Sequence, residues 1–334
     1  MSIETPARQA PAAVLATPIL EVKDLVVRYG RGRKAAAAPA AVDRVSFTIQ
    51  PGETVGLVGE SGSGKSTIGK AILGLQKVSG GSISYQGRDI THAGSGQRRA
   101  LGSELRAVFQ DPNSSLNPRQ TVGASLAEPL RIRGVAAPEA RGRAEAMLER
   151  VGLPREAVDR YPSQFSGGQR QRIAVARALI CEPSLVVCDE AVSALDLSTQ
   201  AQVLNLLADL RDERGLSYLF IAHDISVVQF LAQRVVVLYR GQVMESGPAA
   251  AVTEDPKHPF TQALVAASPV PRPAEQAERR TLRESMGVRT ASSVSATPGG
   301  CPFRQRCPLA TEMCATERPA LRVVGGSDVA CHYA

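Results

Sequence analysis

The chain has 334 residues, room for one large or two modest domains, and its 43% hydrophobic and 21% charged residues are the balance of a soluble globular protein. No apolar run is long enough to cross a bilayer, and the first residues lack the charged-then-apolar pattern of a secretory signal, so cytosolic residence is expected. The net charge of +7 (39 Lys and Arg against 32 Asp and Glu) is scattered. With no Trp and 4% aromatic residues there is no platform for stacking bases, and no nucleic-acid partner is expected.

Residues 1–18, rich in Ala and Pro, read as a disordered leader. Apolar strand-like runs follow over 19–29 and, in alternation, over 42–49, with a loop at 30–41 between them. Pro51-Gly52-Glu53 turns the chain into Val55–Val58, a short buried strand. Directly after it comes Gly59-Glu60-Ser61-Gly62-Ser63-Gly64-Lys65-Ser66, which fits the phosphate-loop pattern at every fixed position, and Thr67–Leu73 continues as a helix. In that context the glycines let backbone N–H groups curl around phosphates, and the new helix points its positive end at them. Lys65 then reaches the β- and γ-phosphates, and Ser66 is placed to ligate Mg²⁺.

Ile83–Tyr85 is a further short strand. Residues 88–120 are polar and turn-rich apart from strand-like 105–110, and Pro112 and Pro118 prevent one continuous helix. Residues 121–180 read as mostly helical, with Ala144, Met147, Leu148 and Val151 at helical spacing, so a helical insertion is expected at about 112–180. Inside it, Phe165-Ser166-Gly167-Gly168-Gln169 opens a helix over 170–180, a second glycine-rich helix start suited to an anion. One chain has one phosphate loop, so the phosphate for this second start must come from elsewhere.

Leu185–Cys188 is apolar on both faces, as a central parallel strand requires, and Asp189-Glu190 stands at its exit. Beside a phosphate loop, Asp189 suits Mg²⁺, directly or through water, and Glu190 suits a general base acting on the attacking water. Residues 198–214 form an amphipathic helix with a Val203, Leu206, Leu207, Leu210 stripe, stopped by Gly215. Tyr218–Ala222 and Val235–Tyr239 are two more buried strands, and the alternation predicts an α/β sheet with mixed edges. Cys181 and Cys188 read as small core hydrophobes. Prolines 256, 259, 269, 271 and 273 then change the texture. Residues 275–300 read as a flexible linker, and Arg272, Arg279, Arg280 and Arg283 as a solvated basic face.

The order of these motifs resembles the ATP-binding cassette family. That resemblance implies a RecA-like α/β P-loop NTPase core with an antiparallel β edge subdomain, a helical insertion and a small C-terminal cysteine-rich extension. In that family Ser166-Gly167-Gly168-Gln169 matches the signature that closes over ATP held by the opposite subunit. Tyr29 matches the aromatic that stacks on adenine, and Gln110 the glutamine that senses Mg²⁺ and water. Ser193-Ala194-Leu195-Asp196 matches the loop linking two ATP sites, and His223 the histidine that contacts the γ-phosphate. Ala191 departs from the Pro that many relatives carry there, which removes a rigid turn but no chemical group.

The segments 110–118, 164–172 and 258–264 further resemble the oligopeptide/dipeptide importer ATPases. The resemblance divides the chain into a cassette at 19–255 and an extension at 256–334. It implies ATP and Mg²⁺ as ligands and a peripheral place on the cytoplasmic face of a bacterial inner membrane. Its partners are then two membrane permease subunits, a second ATPase subunit, identical or paralogous, and an extracytoplasmic substrate-binding protein. Peptides lead as cargo; nickel, glutathione and sugars stay open, as does a soluble cassette acting in DNA repair or translation.

Cys301, Cys307, Cys314 and Cys331 all fall in the last 34 residues, with Pro302 and Pro308 tightening the turns. Disulfides are disfavoured in a cytosolic protein, and structural zinc sites usually begin with closer pairs. Four spaced thiols beside prolines also suit a [4Fe–4S] cluster, which some members of the importer subfamily carry. The cluster leads, with zinc or no metal as the alternatives.

Overall fold

The protein is described by a computed structural model covering residues 17–30, 38–111, 115–193, 195–268 and 299–334. Nearly all of the expected leader, the tip of the 30–41 loop, Pro112, Ala194, the linker to residue 298 and its four arginines lie outside the described residues.

The strands are β1 (Leu20–Arg28), β2 (Ala40–Ile49), β3 (Thr54–Val58), β4 (Gly80–Tyr85), β5 (Arg88–Asp89) and β6 (Leu105–Val108). After the insertion come β7 (Leu185–Asp189), β8 (Ser217–Ala222), β9 (Arg234–Tyr239), β10 (Gln242–Pro248), β11 (Arg322–Val324) and β12 (Ser327–Val329). They build an antiparallel sheet ordered β2-β1-β4-β5 and a larger sheet ordered β11-β12-β10-β9-β3-β8-β7-β6. Neighbours from β9 through β6 run parallel, while β10, β12 and β11 add antiparallel partners at the other edge.

β3, β7 and β8 are buried on both faces, which is why their sequences run apolar without alternation. Their side chains still sort by the two-residue period. Val187, Leu219 and Ile221 join Leu57, Ile68 and Ile72 in one core, shared with Leu20, Leu25 and Ile49 of the small sheet. Val186, Cys188, Tyr218 and Phe220 face the other core.

The helices are α1 (Lys65–Ile72), α2 (Ser95–Leu101), α3 (Val122–Ile132), α4 (Ala137–Arg150), α5 (Gly167–Leu179) and α6 (Leu197–Arg214). Beyond these lie α7 (Ile225–Leu231), α8 (Ala249–Glu254), α9 (Pro259–Ala267) and α10 (Glu312–Thr316). α3 and α4 pack together through Leu126, Leu130, Ala144 and Leu148. α5 starts at Gly167, three residues before the sequence suggests, because Ser166 caps it. On α6 the buried stripe is Val203, Leu204, Leu207 and Leu210, with Leu206 only half-buried. Leu204 and Leu206 flank the line through Val203, Leu207 and Leu210 on opposite sides, so either leucine satisfies helical spacing.

The tail is no separate appendage. β12 pairs with β10 through Glu245 and Val329, extending the main sheet. Phe303 is fully buried, its ring 5.4 Å from those of Tyr239 and Phe260.

Candidate active site

Gly59–Ser66 leaves β3 at the carboxyl ends of the parallel strands, where ligands bind in open α/β sheets. Two of its glycines, Gly59 and Gly64, are dictated by space as well as by dihedral angle. Gly59 has φ +150°, and a Cβ there would lie 2.1 Å from the Leu238 carbonyl oxygen. Gly64 has φ +103°, with the Ala41 carbonyl oxygen 2.5 Å from any added Cβ. No side chain caps α1 at Gly64, which leaves its first backbone N–H groups for a ligand.

Lys65 is almost fully buried, and its ammonium donates to the carbonyls of Gly59 at 2.7 Å and Glu60 at 2.9 Å. Burial pulls its pKa down, while Glu190, Asp189 and Glu60 act to hold the proton. Ser66 donates to Asp189 Oδ1 at 2.8 Å, joining the loop to the end of β7. Burial pushes the Asp189 carboxyl above its usual range, against the Ser66 hydrogen bond, and the neighbouring Glu190 adds to the rise. A raised carboxyl beside a hydroxyl is a site that gains from a cation. Mg²⁺ uses few protein ligands and completes its shell with phosphate and water, so a hydroxyl and one carboxylate fit it.

Glu190 follows with φ +50°, in the left-handed region that a side-chain-bearing residue rarely adopts. Its N–H donates to Ile221 O at 3.0 Å, and its carbonyl accepts from Ser193 Oγ at 3.0 Å. Glu190 and exposed His223 line one cavity of about 510 Å³ with Ser193 and Asp224. Gln110 is exposed and lies two residues beyond Val108, whose partner on β7 is Cys188, so it leaves the sheet at the same end as the two acids. Tyr29 is half-exposed, its hydroxyl 2.9 Å from Thr67 Oγ1, which sets the ring beside the loop. Ser61 and Gly62 are exposed at the loop crest, and Ser63 is buried beneath it.

Two predicted parts are bonded elsewhere within this chain. Ser166 Oγ accepts from Gln169 N at 3.3 Å while Gln169 Oε1 accepts from Ser166 N at 3.0 Å, a closed capping box on an exposed helix start. Nothing lies within 4 Å of a Cβ added at Gly167, whereas one at Gly168 would meet Thr199. Asp196 caps α6, accepting from Thr199 N at 3.0 Å and from the Ser198 hydroxyl at 2.5 Å. These bonds, Ser198 first, hold its carboxyl well below the usual range.

The four tail cysteines line one small pocket with His258 and His332. Burial pushes Cys301 up to about 11 and raises Cys307 as well. The thiols share a pocket without forming a ready donor set: among the described residues no three His, Cys, Asp or Glu side chains are grouped as for a metal. The iron–sulfur expectation therefore has the right residues in one place but no ligation geometry. Sequence reasoning missed Arg306, which reaches from the tail to Glu60 with one guanidinium nitrogen 2.8 Å from each carboxylate oxygen. The two residues stand 246 positions apart, and no local pattern announces such a pair.

The chain is similar in sequence and in fold to several known proteins. The ABC transporter profile matches residues 42–193, and the oligopeptide/dipeptide transporter C-terminal region matches 244–314. A Brucella abortus (strain 2308) protein, provisionally named a peptide import ATP-binding protein, is 46% identical over 94% of this chain and 93% of its own length. The glutathione import ATP-binding protein GsiA of Escherichia coli (strain K12) is 48% identical over 84% of this chain, which matches 47% of that protein. Among solved structures, CbiO1 of Clostridium perfringens, part of the ABC transporter complex CbiONQ, superposes with a TM-score of 0.64 at 26% identity, covering 71% of this chain and 91% of that one. The ATP-binding cassette MJ0796, dimeric and bound to ADP and Pi in a post-hydrolysis state, gives 0.63 at 29% identity, covering 69% and 98%.

Proposed function

The chain belongs to the ABC transporter family, and from that premise we propose that it is the ATP-hydrolysing subunit of a peptide importer. The observation that carries the reading is the Ser66–Asp189 hydrogen bond, which brings the phosphate loop onto the acidic end of β7 in a chain whose C-terminal part matches the oligopeptide/dipeptide transporters.

In this reading the N–H groups of the loop and of α1 bind the phosphates, and Lys65 turns from its two carbonyls toward the β- and γ-oxygens. Ser66 and Asp189 hold Mg²⁺, which supplies charge neutralisation on the phosphates, with Gln110 approaching the same side. Glu190 takes the proton of the attacking water, and His223, across the same cavity, contacts the γ-phosphate. Tyr29 presents its ring to the adenine. The exposed Ser166–Gln169 helix start meets the nucleotide of a second subunit, with Asp196 near the junction. ATP thus joins two subunits and hydrolysis parts them.

The groove near Gln110, about 880 Å³ and lined by Leu75, Phe109, Leu116, Asn117 and Arg177, would receive a permease subunit. No helix among the described residues is long and apolar enough to cross a membrane, so attachment would be peripheral, on the cytoplasmic face of the inner membrane. A substrate-binding protein would act through the permease. The four cysteines are the seat proposed for a [4Fe–4S] cluster, or for zinc: four thiols line one pocket with no competing carboxylate. Iron and acid-labile sulfide in anaerobic preparations, both lost in Cys307→Ser, would support the cluster; stoichiometric zinc without iron would replace it.

Purification from gently solubilised membranes tests the function. Membrane permease subunits should accompany the protein, and uptake of peptides by reconstituted vesicles should require ATP. Co-purification with nucleic acid and no membrane subunit would overturn the importer reading.

A further inference from the structure

The tail and the phosphate loop are remote in sequence but joined in space, through one side chain. Arg306 lies between Cys301 and Cys307, in the turn whose backbone is tied by Arg306 N to Phe303 O at 2.9 Å and Cys307 N to Phe303 O at 3.1 Å. Its guanidinium lies 5.8 Å from the Tyr239 ring centre and 5.6 Å from that of Phe303, so two aromatic faces fix its direction. From there it meets both carboxylate oxygens of Glu60 at 2.8 Å, with its side chain only 18% exposed.

Glu60 is the second residue of the phosphate loop. Its carbonyl accepts from Lys65 Nζ and, at 3.1 Å, from Ser63 N, so its position sets where the lysine waits and how the loop bends. From beneath, the loop rests on the β9–β10 turn, with Gly241 N donating to Ser63 O at 2.9 Å. From the side, Arg306 holds it. The arginine also neutralises a carboxylate that would otherwise stand beside a bound triphosphate.

We propose that Arg306 is a positioning residue for the phosphate loop: acting through Glu60, it makes nucleotide affinity depend on the order of the four-cysteine module. The inference rests on Gly59–Ser66 being the nucleotide site, and it requires no particular occupant of the cysteine pocket.

A second tail anchor supplies the control. Arg318 pairs with Asp43 at 2.8 Å and holds the tail to β2 without touching the phosphate loop. Full-length variants are compared by equilibrium binding of a fluorescent ATP analogue and by KM and kcat for ATP, with circular dichroism to confirm folding. Arg306→Ala should weaken affinity and raise KM about 5- to 20-fold, with kcat at saturating ATP within about twofold of wild type. Arg306→Lys, which keeps the charge but not the planar group over the Tyr239 and Phe303 rings, should recover part of the loss. Arg318→Ala should stay within about twofold in both measures. Cys307→Ser should weaken affinity in the wild-type background and add nothing on Arg306→Ala, since both would act through one contact.

Wild-type affinity in Arg306→Ala would overturn the inference. So would an equal loss in Arg318→Ala, which would reduce Arg306 to a tail anchor. Normal affinity in Cys307→Ser, or an additive double variant, would break the link to the module. Failure of the wild-type protein itself to bind the analogue would instead strike the nucleotide-site reading.

Discussion

Ser66 and Asp189, 123 residues apart, meet through a 2.8 Å hydrogen bond where the phosphate loop crosses the end of the central sheet. The serine arrives on the first turn of α1 and the aspartate on the last residue of β7, so the contact exists only because β3 and β7 flank β8 in one parallel sheet. Burial disfavours the charged aspartate in the free protein, and a cation between the two side chains would relieve that cost.

Asp189→Asn tests this directly. Removing a buried charge while keeping its shape should leave the melting temperature unchanged or slightly raised. Hydrolysis should fall by about two orders of magnitude, and the Mg²⁺ concentration giving half-maximal activity should rise. An unchanged Mg²⁺ titration would remove Asp189 from the metal site.

The capping box at Ser166 gives a prediction of a different kind. Among the described residues Ser166 is exposed and its side chain bonds within its own helix start. Ser166→Arg should therefore block ATP-driven dimerisation, seen by sedimentation, while a single subunit binds nucleotide as before. Loss of monomer affinity would contradict a site shared between subunits.

How much could be seen beforehand followed the reach of local pattern. β3, β7, β8 and β9 were legible because strands buried on both faces leave continuous apolar runs, and the phosphate loop because its glycines, lysine and serine fall at fixed spacing. β11 and β12, three residues each, carry too few positions to show a period, so their place at the edge of the main sheet was invisible. The tail consequently looked detached from the ATP site, whereas Arg306 touches Glu60. Glu190 was found as an acid after a strand, but its φ of +50° is a tertiary fact with no signature in composition.

His258 offers a test by pH. It is 1% exposed, its Nδ1 accepting from Phe260 N at 2.9 Å, and burial lowers its pKa from 6.5 to about 4. The folded protein thus resists a proton that the unfolded chain accepts. Its contribution is present above pH 6.5 and is lost as the pH falls toward about 4, reaching on the order of 3 kcal/mol at the low end. Urea unfolding of wild type and His258→Gln at pH 7.5 and pH 5 should show a smaller acid-induced loss in the variant. Equal losses in both would show that His258 does not contribute.

The most direct test of the account is the turnover of Glu190→Gln, measured together with its ATP-dependent mass. Glutamine keeps the size and shape of the side chain and one acceptor oxygen but cannot take the proton of water. Hydrolysis should fall by about 10²- to 10⁴-fold. With ATP and Mg²⁺ the variant should sediment as a persistent dimer, trapped before the step that releases it. Near-wild-type hydrolysis would show that Glu190 is not the base, and a variant that stays monomeric with ATP bound would contradict ATP as the link between subunits.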